Sequence, residues 1–226
     1  MGKWDRWLVP GVLALVGVPF LITGGVLWAV VPRSVANHAK EVARLPVATA
    51  ATLNERGAPV LLEGRVSDRN PVSDRPPLVA YNEYHRVRRD DEWKWEHERS
   101  YNPTLWVQIP GKEVEIAAGY SLQSTASQVE EGRDGPLGSV ADHRSYEGFK
   151  VSDRVLVLGT LSVAGDYPVI NEAKIGFETK EAYLASLEQD QAIACWMGLL
   201  FSILGSLLTL GAGLAVYLSW RSAITR

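Results

Sequence analysis

Histidine, cysteine, carboxylate and serine side chains are the first places to look for chemistry in a chain of 226 residues. The histidines are His38, His85, His97 and His143, and the only cysteine is Cys195. A metal site wants ligands a few residues apart on a helix face or in a turn. No pair here has that spacing. His85 and His97 would meet only across a hairpin, as a metal or haem pair, and surface histidines are the plainer reading. The 26 acidic residues are spread along the chain, and nothing in their spacing places two of them around one pocket for acid–base work. No serine sits in a G-x-S-x-G elbow. Gly132, Gly135 and Gly138 lie in a polar stretch with no phosphate-loop lysine. The sequence carries no catalytic signature. No catalytic residue, cofactor or metal site is assigned, and an enzyme is the least supported class.

One stretch is dense in functional groups. Arg86 to Arg99 holds Arg88, Arg89, Asp90, Asp91, Glu92, Lys94, Glu96, Glu98 and Arg99. Mixed signs at this density suit a solvated hairpin with cross-strand charge pairs. Trp93 and Trp95 would share one face of its second strand, with Lys94 and Glu96 on the other. That face packs into a core, touches lipid headgroups or docks a partner; burial is the first expectation. Trp93, Trp95, Trp106 and Tyr84 are the candidate interaction surface.

The elements that position these residues are set by two uncharged apolar runs, Leu8 to Val31 and Ala192 to Trp220. Each exceeds the roughly 20 residues that cross a bilayer as a helix. The first is longer than a signal-peptide core and no small-x-small cleavage site follows, so it reads as a retained anchor. Trp4, Trp7 and Trp28 flank the first run, and Trp196 and Trp220 the second, at the headgroup level that indoles favour. Gly198, Ser202 and Ser206, then Gly205, Thr209 and Gly213, recur at helical spacing; Gly17 and Gly24 lie in the first run. Small faces let helices approach closely, so the runs pack on each other or on another copy in a homo-oligomer; small residues are also simply common in membrane helices.

Of 23 basic residues, only Lys3, Arg6, Arg221 and Arg226 lie outside the apolar bracket; of 26 acidic ones, only Asp5 does. That leaves 19 basic and 25 acidic residues within it, a net charge of −6. Nucleic acid is excluded as an expected partner, since phosphate binding wants a basic face. The terminal cations favour both termini in the cytoplasm and the middle domain on the outer face of a plasma or inner membrane.

The organisation expected is a first transmembrane helix at 8–31, a connector at 32–56, a β domain at 57–178, a juxtamembrane helix at 179–191 capped by Thr179, and a second transmembrane helix at 192–220. Within the β domain, strands are expected at Leu61–Val66, along a long hairpin over 78–101 turning at Arg89-Asp90-Asp91-Glu92, at Leu105–Ile109 stopped by Pro110-Gly111, and at Glu113–Ala117. Residues 119–149 read as a long polar loop. Asp153 to Val163 is the strongest strand pattern, with a turn at Gly165-Asp166 before Tyr167–Ile170. The fold class expected is two transmembrane α-helices flanking a mainly-β domain, a small barrel or sandwich that is OB-like in part.

This order resembles the GIDE domain, also called BAM, "beside a membrane". The residues that carry the likeness are Leu62-Glu63-Gly64-Arg65-Val66, Pro77-Leu78-Val79-Ala80-Tyr81 before a charged hairpin, and Asp153 to Leu161, set between two spans. The family is known from mitochondrial E3 ubiquitin ligases and from prokaryotic proteins. The ligases carry a RING after their second span. A RING needs about eight Cys/His ligands, and here one cysteine and Arg221 to Arg226 remain, so ligase activity does not carry over. The resemblance implies a β domain beside a bilayer and no catalytic residues. The function expected is a membrane-tethered, non-catalytic binding or scaffolding module; the alternative is an accessory subunit of a transporter or protease complex. Its partners would be the lipid bilayer and a membrane or envelope protein.

Overall fold

The computed structural model describes residues 5–53, 57–131, 143–164, 167–176 and 179–224. The chain divides into two compact units, Met1–Val42 with Leu184–Arg226, and Ala43–Tyr183.

The helical unit holds α1 (Asp5–Ala29), most of α2 (Val31–Arg44) and most of α3 (Lys180–Ile224). Two helical stretches, Pro10–Arg44 and Lys180–Leu218, are long and apolar enough to cross a membrane. The start of the expected connector is therefore helical. Pro32 marks the join between α1 and α2: it has no N–H to give, while Val30 N–H and Ser34 N–H bridge the join by bonding Val26 O and Val30 O. Small residues bring α1 and α3 together in antiparallel order. A Cβ on Gly24 would stand 2.5 Å from Ser202 Oγ, and one on Gly205 2.6 Å from Leu21 N. Gly17 meets Thr209, Gly198 meets Trp28, and Phe20 stacks at 5.3 Å from Phe201. The hydroxyls that would be costly in an apolar setting are spent on their own helix: Ser206 donates to Ser202 O and Thr209 to Gly205 O, each at 2.7 Å. Gly213 has nothing near it. The outer faces are apolar, with Leu15 76 % and Leu210 71 % exposed.

Among the described residues the β unit has ten strands: β1 (Pro59–Val66), β2 (Ala80–Arg89), β3 (Glu92–Tyr101), β4 (Leu105–Ile109), β5 (Lys112–Ile116), β6 (Ser121–Ser124), β7 (Ser127–Glu131), β8 (Arg144–Phe149), β9 (Arg154–Ala164) and β10 (Tyr167–Gly176). Five of them close a barrel in the order β5-β4-β1-β9-β10, and β10 returns to β5 in parallel. Strand β10 can serve two neighbours because it bulges between Asn171 and Lys174, where Glu172 takes φ 52°. Its first half pairs with β5 and its second half with β6. Leu62, Val66, Leu105, Val107, Val114, Ile116, Val155, Val157, Ile170 and Ile175 fill the interior with almost no exposure.

The second sheet runs β3-β2-β8-β7, antiparallel throughout. Its strands are insertions between barrel strands. Residues 119–149, expected as a loop, hold β6, β7 and β8, while 132–142 lie outside the described residues, as does the turn expected at Gly165-Asp166. Val129 of β7 and Tyr146 of β8 pack on Leu78 and Tyr81, while Phe149 at the end of β8 enters the barrel core. A strand with so few apolar side chains gives a weak signal of alternation.

The chain is fastened where it leaves and re-enters this unit. Glu63 Oε1 accepts the Lys180 backbone N–H at 2.7 Å, and Thr179 Oγ1 accepts Ala182 N–H at 3.3 Å, so both cap α3. Lys180 Nζ donates to Ala43 O and Leu45 O at 2.9 and 2.6 Å, satisfying carbonyls at the end of α2.

Gly148 on β8 faces Tyr81 on β2, and a Cβ there would run into Ala80 O and sit 2.8 Å from Tyr81 Cβ. Gly148→Val is expected to weaken the β2–β8 seam by about 1–3 kcal/mol, read as a fall in the thermal unfolding midpoint.

Candidate interaction surface

Strand β3 is an edge. Among the described residues it pairs with β2 alone, and all of its residues except Glu96 are exposed. The hairpin that makes it turns through Asp90 and Asp91, with φ 53° and 64°. Two positive φ values in a two-residue loop are the type I′ geometry whose twist matches the flanking strands, so the expected turn is where the sequence put it. Short-chain polar residues tolerate this conformation better than most.

The register sorts the side chains. Tyr84, Arg86 and Arg88 stand opposite His97, Trp95 and Trp93. These six share one face of the hairpin. Tyr84 and His97 meet edge-on at 5.6 Å. The Arg86 guanidinium lies 5.7 Å from the Trp93 ring and 5.9 Å from the Trp95 ring, a cation–π arrangement. Trp93 is 36 % exposed and Trp95 42 %. The burial expected of this face is therefore not found: no further element covers it among the described residues.

Of the four residues expected to form an interaction surface, the structure joins Tyr84, Trp93 and Trp95. Trp106 belongs elsewhere. It lies on β4, stacked under Arg69 at 4.0 Å. Its backbone N–H and C=O are both held by the Asn70 side chain, at 2.7 and 2.8 Å, which pins the loop before β2 to the barrel. His85 and His97 fall on opposite faces, with His85 opposite Glu96, so they do not pair. Among the described residues no three His, Cys, Asp or Glu side chains come together as a metal site.

The other face of the same sheet is organised around Glu83, which is fully buried. Its Oε2 takes Arg99 Nε of β3 at 2.5 Å, and its Oε1 takes Arg144 of β8. Tyr81 packs between Tyr101 and Tyr146 at 5.3 and 5.5 Å beside it. Glu98 reaches Arg144 at 3.6 Å and His85 at 3.7 Å. Glu98 is also the extra residue where the β2–β3 register shifts, between the Glu83↔Arg99 and Tyr84↔His97 pairs. The bulge turns Arg99 onto the Glu83 side. The remaining hairpin charges pair in solvent: Arg88 with Asp91, Arg89 with Glu96 and Lys94 with Glu92. Exposed pairs of this kind add little stability.

Sequence reasoning missed Glu83. The signal was present: two residues from Tyr81 on the same strand, it had to share that tyrosine's buried face. Its charge argued for solvent because the two arginines come from separate strands.

A groove of about 420 Å³ lies on the barrel, lined by Glu63, Arg65, Gln108 and Arg154 among others. Another of about 480 Å³ is lined by Pro46, Ala48, Thr52 and Leu161. Neither gathers an acid–base pair with a nucleophile. No protein-family model matches the chain, and no curated protein or solved structure matches it.

Burial would raise the Glu83 pKa, but the hydrogen bonds and charges of Arg99 and Arg144 outweigh it and hold the carboxyl below its ordinary value. The folded state thus binds this proton less readily than the unfolded one. Its contribution is complete above the ordinary carboxylate range, near about 4.3, and is lost as pH falls through the lowered value. In chemical unfolding, the stability gap between the natural chain and Glu83→Gln is expected to be widest at neutral pH and to close on acidification. A gap independent of pH would show that the carboxylate charge is not what holds the strands.

Proposed function

We propose that this chain is a membrane-tethered, non-catalytic binding or scaffolding module whose working surface is the β2–β3 hairpin. The observation that carries the reading is the pair of exposed tryptophans flanking Arg86 on a free sheet edge. Large aromatics and arginine are the residues that most often dominate binding surfaces. They stand here on a rigid sheet rather than on a loose loop.

Two further features support the tether. The apolar helices precede and follow the β unit in the chain, and within the runs Leu8 to Val31 and Ala192 to Trp220 their exposed side chains, among the described residues, are mostly apolar. Both ends of the β unit would then enter one bilayer, which suits a module that holds a partner at a membrane. The terminal cations favour both ends in the cytoplasm and the β unit on the outer face. The barrel's ring order, with β5 and β10 parallel, reads as OB-like. With the short motifs around Leu62–Val66 and Asp153–Leu161, it supports kinship with the GIDE or BAM domains.

Crosslinking followed by purification of the full chain from detergent-solubilised membranes tests the reading. The double variant Trp93→Ala/Trp95→Ala is expected to keep its unfolding midpoint, because both rings are exposed, and to lose at least about tenfold in recovered complex, the loss of a modest hot spot. Unchanged recovery would remove the hairpin as the working surface. A stoichiometric channel or protease in the natural complex would favour the accessory-subunit reading. An activity reporter fused after Arg226 is expected to report cytoplasm; a reporter active outside would reverse the orientation.

A further inference from the structure

We infer that the free edge of β3 is a self-pairing surface, and that its occupant is the β3 strand of a second copy of this chain. The inference deepens the binding-module reading, on which it rests, by naming the partner.

The backbone decides which residues are available. Arg86 N–H donates to His143 O at 3.0 Å, away from β3. Arg86 stands opposite Trp95, so these two form a pair without mutual backbone bonds. In an antiparallel ladder such pairs alternate with bonded ones. The N–H and C=O groups of Trp93, Trp95 and His97 therefore point outward along the free edge. The type I′ turn agrees, since it makes Arg89↔Glu92 the first bonded pair and leaves Trp93 in the outward set.

A two-fold axis can meet this edge in few ways. Paired residues must share a face, so the axis passes through a residue of β3. An axis at Lys94 sets lysine against lysine and Glu92 against Glu96. One at Glu96 sets two glutamates against each other. An axis at Trp95 sets Lys94 of each copy against Glu96 of the other, with opposite signs twice. It also sets Trp95 beside Trp95 and Trp93 beside His97. The outward backbone groups of Trp93, Trp95 and His97 can all bond in that register, whereas axes at Lys94 or Glu96 engage only two of the three on each side. The turn at Asp90-Asp91 and the bulge at Glu98 bound the segment. Beyond it Glu92 would face Glu98, but the Glu98 carboxylate is already turned toward Arg144 and His85.

Charged side chains on an edge strand commonly serve to prevent such pairing. An axis at Trp93 also matches opposite charges, Glu92 against Lys94, but meets the Asp90-Asp91 turn after one residue on each side. What distinguishes β3 is that its longer matched register, about Trp95, covers both exposed indoles. The opposite edge, β7, is five residues long and offers no matched pair of opposite charges in self-alignment. Of the small residues expected to build a homo-oligomer, Gly17, Gly24, Gly198 and Gly205 are occupied within the chain by α1 on α3, while Gly213 is open.

The test uses the full chain in membranes of expressing cells, in a Cys195→Ser background. Residues opposite each other in a bonded pair have Cα atoms about 5.5 Å apart, within disulfide reach. Under mild oxidation Trp95→Cys is expected to give a covalent dimer, and Glu130→Cys on the opposite edge is not. In chains carrying an intact Trp95, Lys94→Glu or Glu96→Lys alone should weaken chemical crosslinking of dimers by roughly tenfold, two repulsive pairs replacing two attractive ones. The double swap Lys94→Glu/Glu96→Lys should restore it. Equal disulfide formation at both cysteine positions, or no restoration by the double swap in folded protein, would overturn the inference. Hairpin-dependent capture of a different protein by a monomeric chain would also overturn it while leaving the binding-module reading standing. Loss of every hairpin-dependent contact would end both.

Discussion

A single buried carboxylate holds the second sheet of this molecule together. Glu83 stands on β2 and takes one arginine from β3 and another from β8, so three of the four strands of the second sheet meet at its two oxygens. Burying an ion among strands costs desolvation, which good geometry and paired charge must offset. Here both oxygens are occupied, and the aromatic rings of Tyr81, Tyr101 and Tyr146 pack around the same place. The bulge at Glu98 follows from this arrangement, because it delivers Arg99 to the carboxylate. The hairpin beyond the bulge has no core of its own. Its strand direction, and hence which residues face outward, is inherited from the ion pairs at its root.

That dependence links the two faces of one sheet. The inner face spends its charges on structure, while the outer face carries Trp93, Trp95 and Arg86 with nothing over them among the described residues. A sheet edge of ten residues with exposed indoles is a hazard unless it is either guarded or used. On β3 the alternating charges oppose self-alignments about Lys94 and Glu96 and favour the one about Trp95. The barrel provides a stiff base through its closed ring and through Asn70, which ties the loop before β2 to Trp106 on β4. At the points where the helices join, Lys180 and Glu63 supply the capping groups that chain ends require.

Much of this was legible in the sequence, for physical reasons that differ by element. The barrel strands around Leu61–Val66, Leu105–Ile109 and Asp153–Val163 are rich in buried aliphatic residues and announce themselves. The hairpin turn was readable because Asp90-Asp91 separates two strand-like runs. The Thr179 cap and the helical stretch after it were equally plain. Strands β6, β7 and β8 were not, because only Val129 and Tyr146 of β7 and β8 reach the small core against Leu78 and Tyr81. The helix α2 was legible only in part, as some helical periodicity over Val35–Val47 within the connector, because it follows an apolar run and Pro32 directly. At the candidate surface, Tyr84, Trp93 and Trp95 were foreseen together, but their exposure was not. Sequence gives the face of a strand; whether another layer covers that face depends on how β2 pairs with β8, a contact between segments far apart in the chain.

The central claim is that the outward edge of β3 is occupied when the protein works. Amide hydrogen exchange at Trp95 measures that edge directly, since its N–H has no partner within the hairpin. In the full chain reconstituted in bilayers at high and at low density, the account predicts slow exchange at Trp95 in the dense membrane and fast exchange in the dilute one, with the amide of Lys94, bonded within the hairpin, much less affected. Fast exchange at Trp95 at both densities would contradict it.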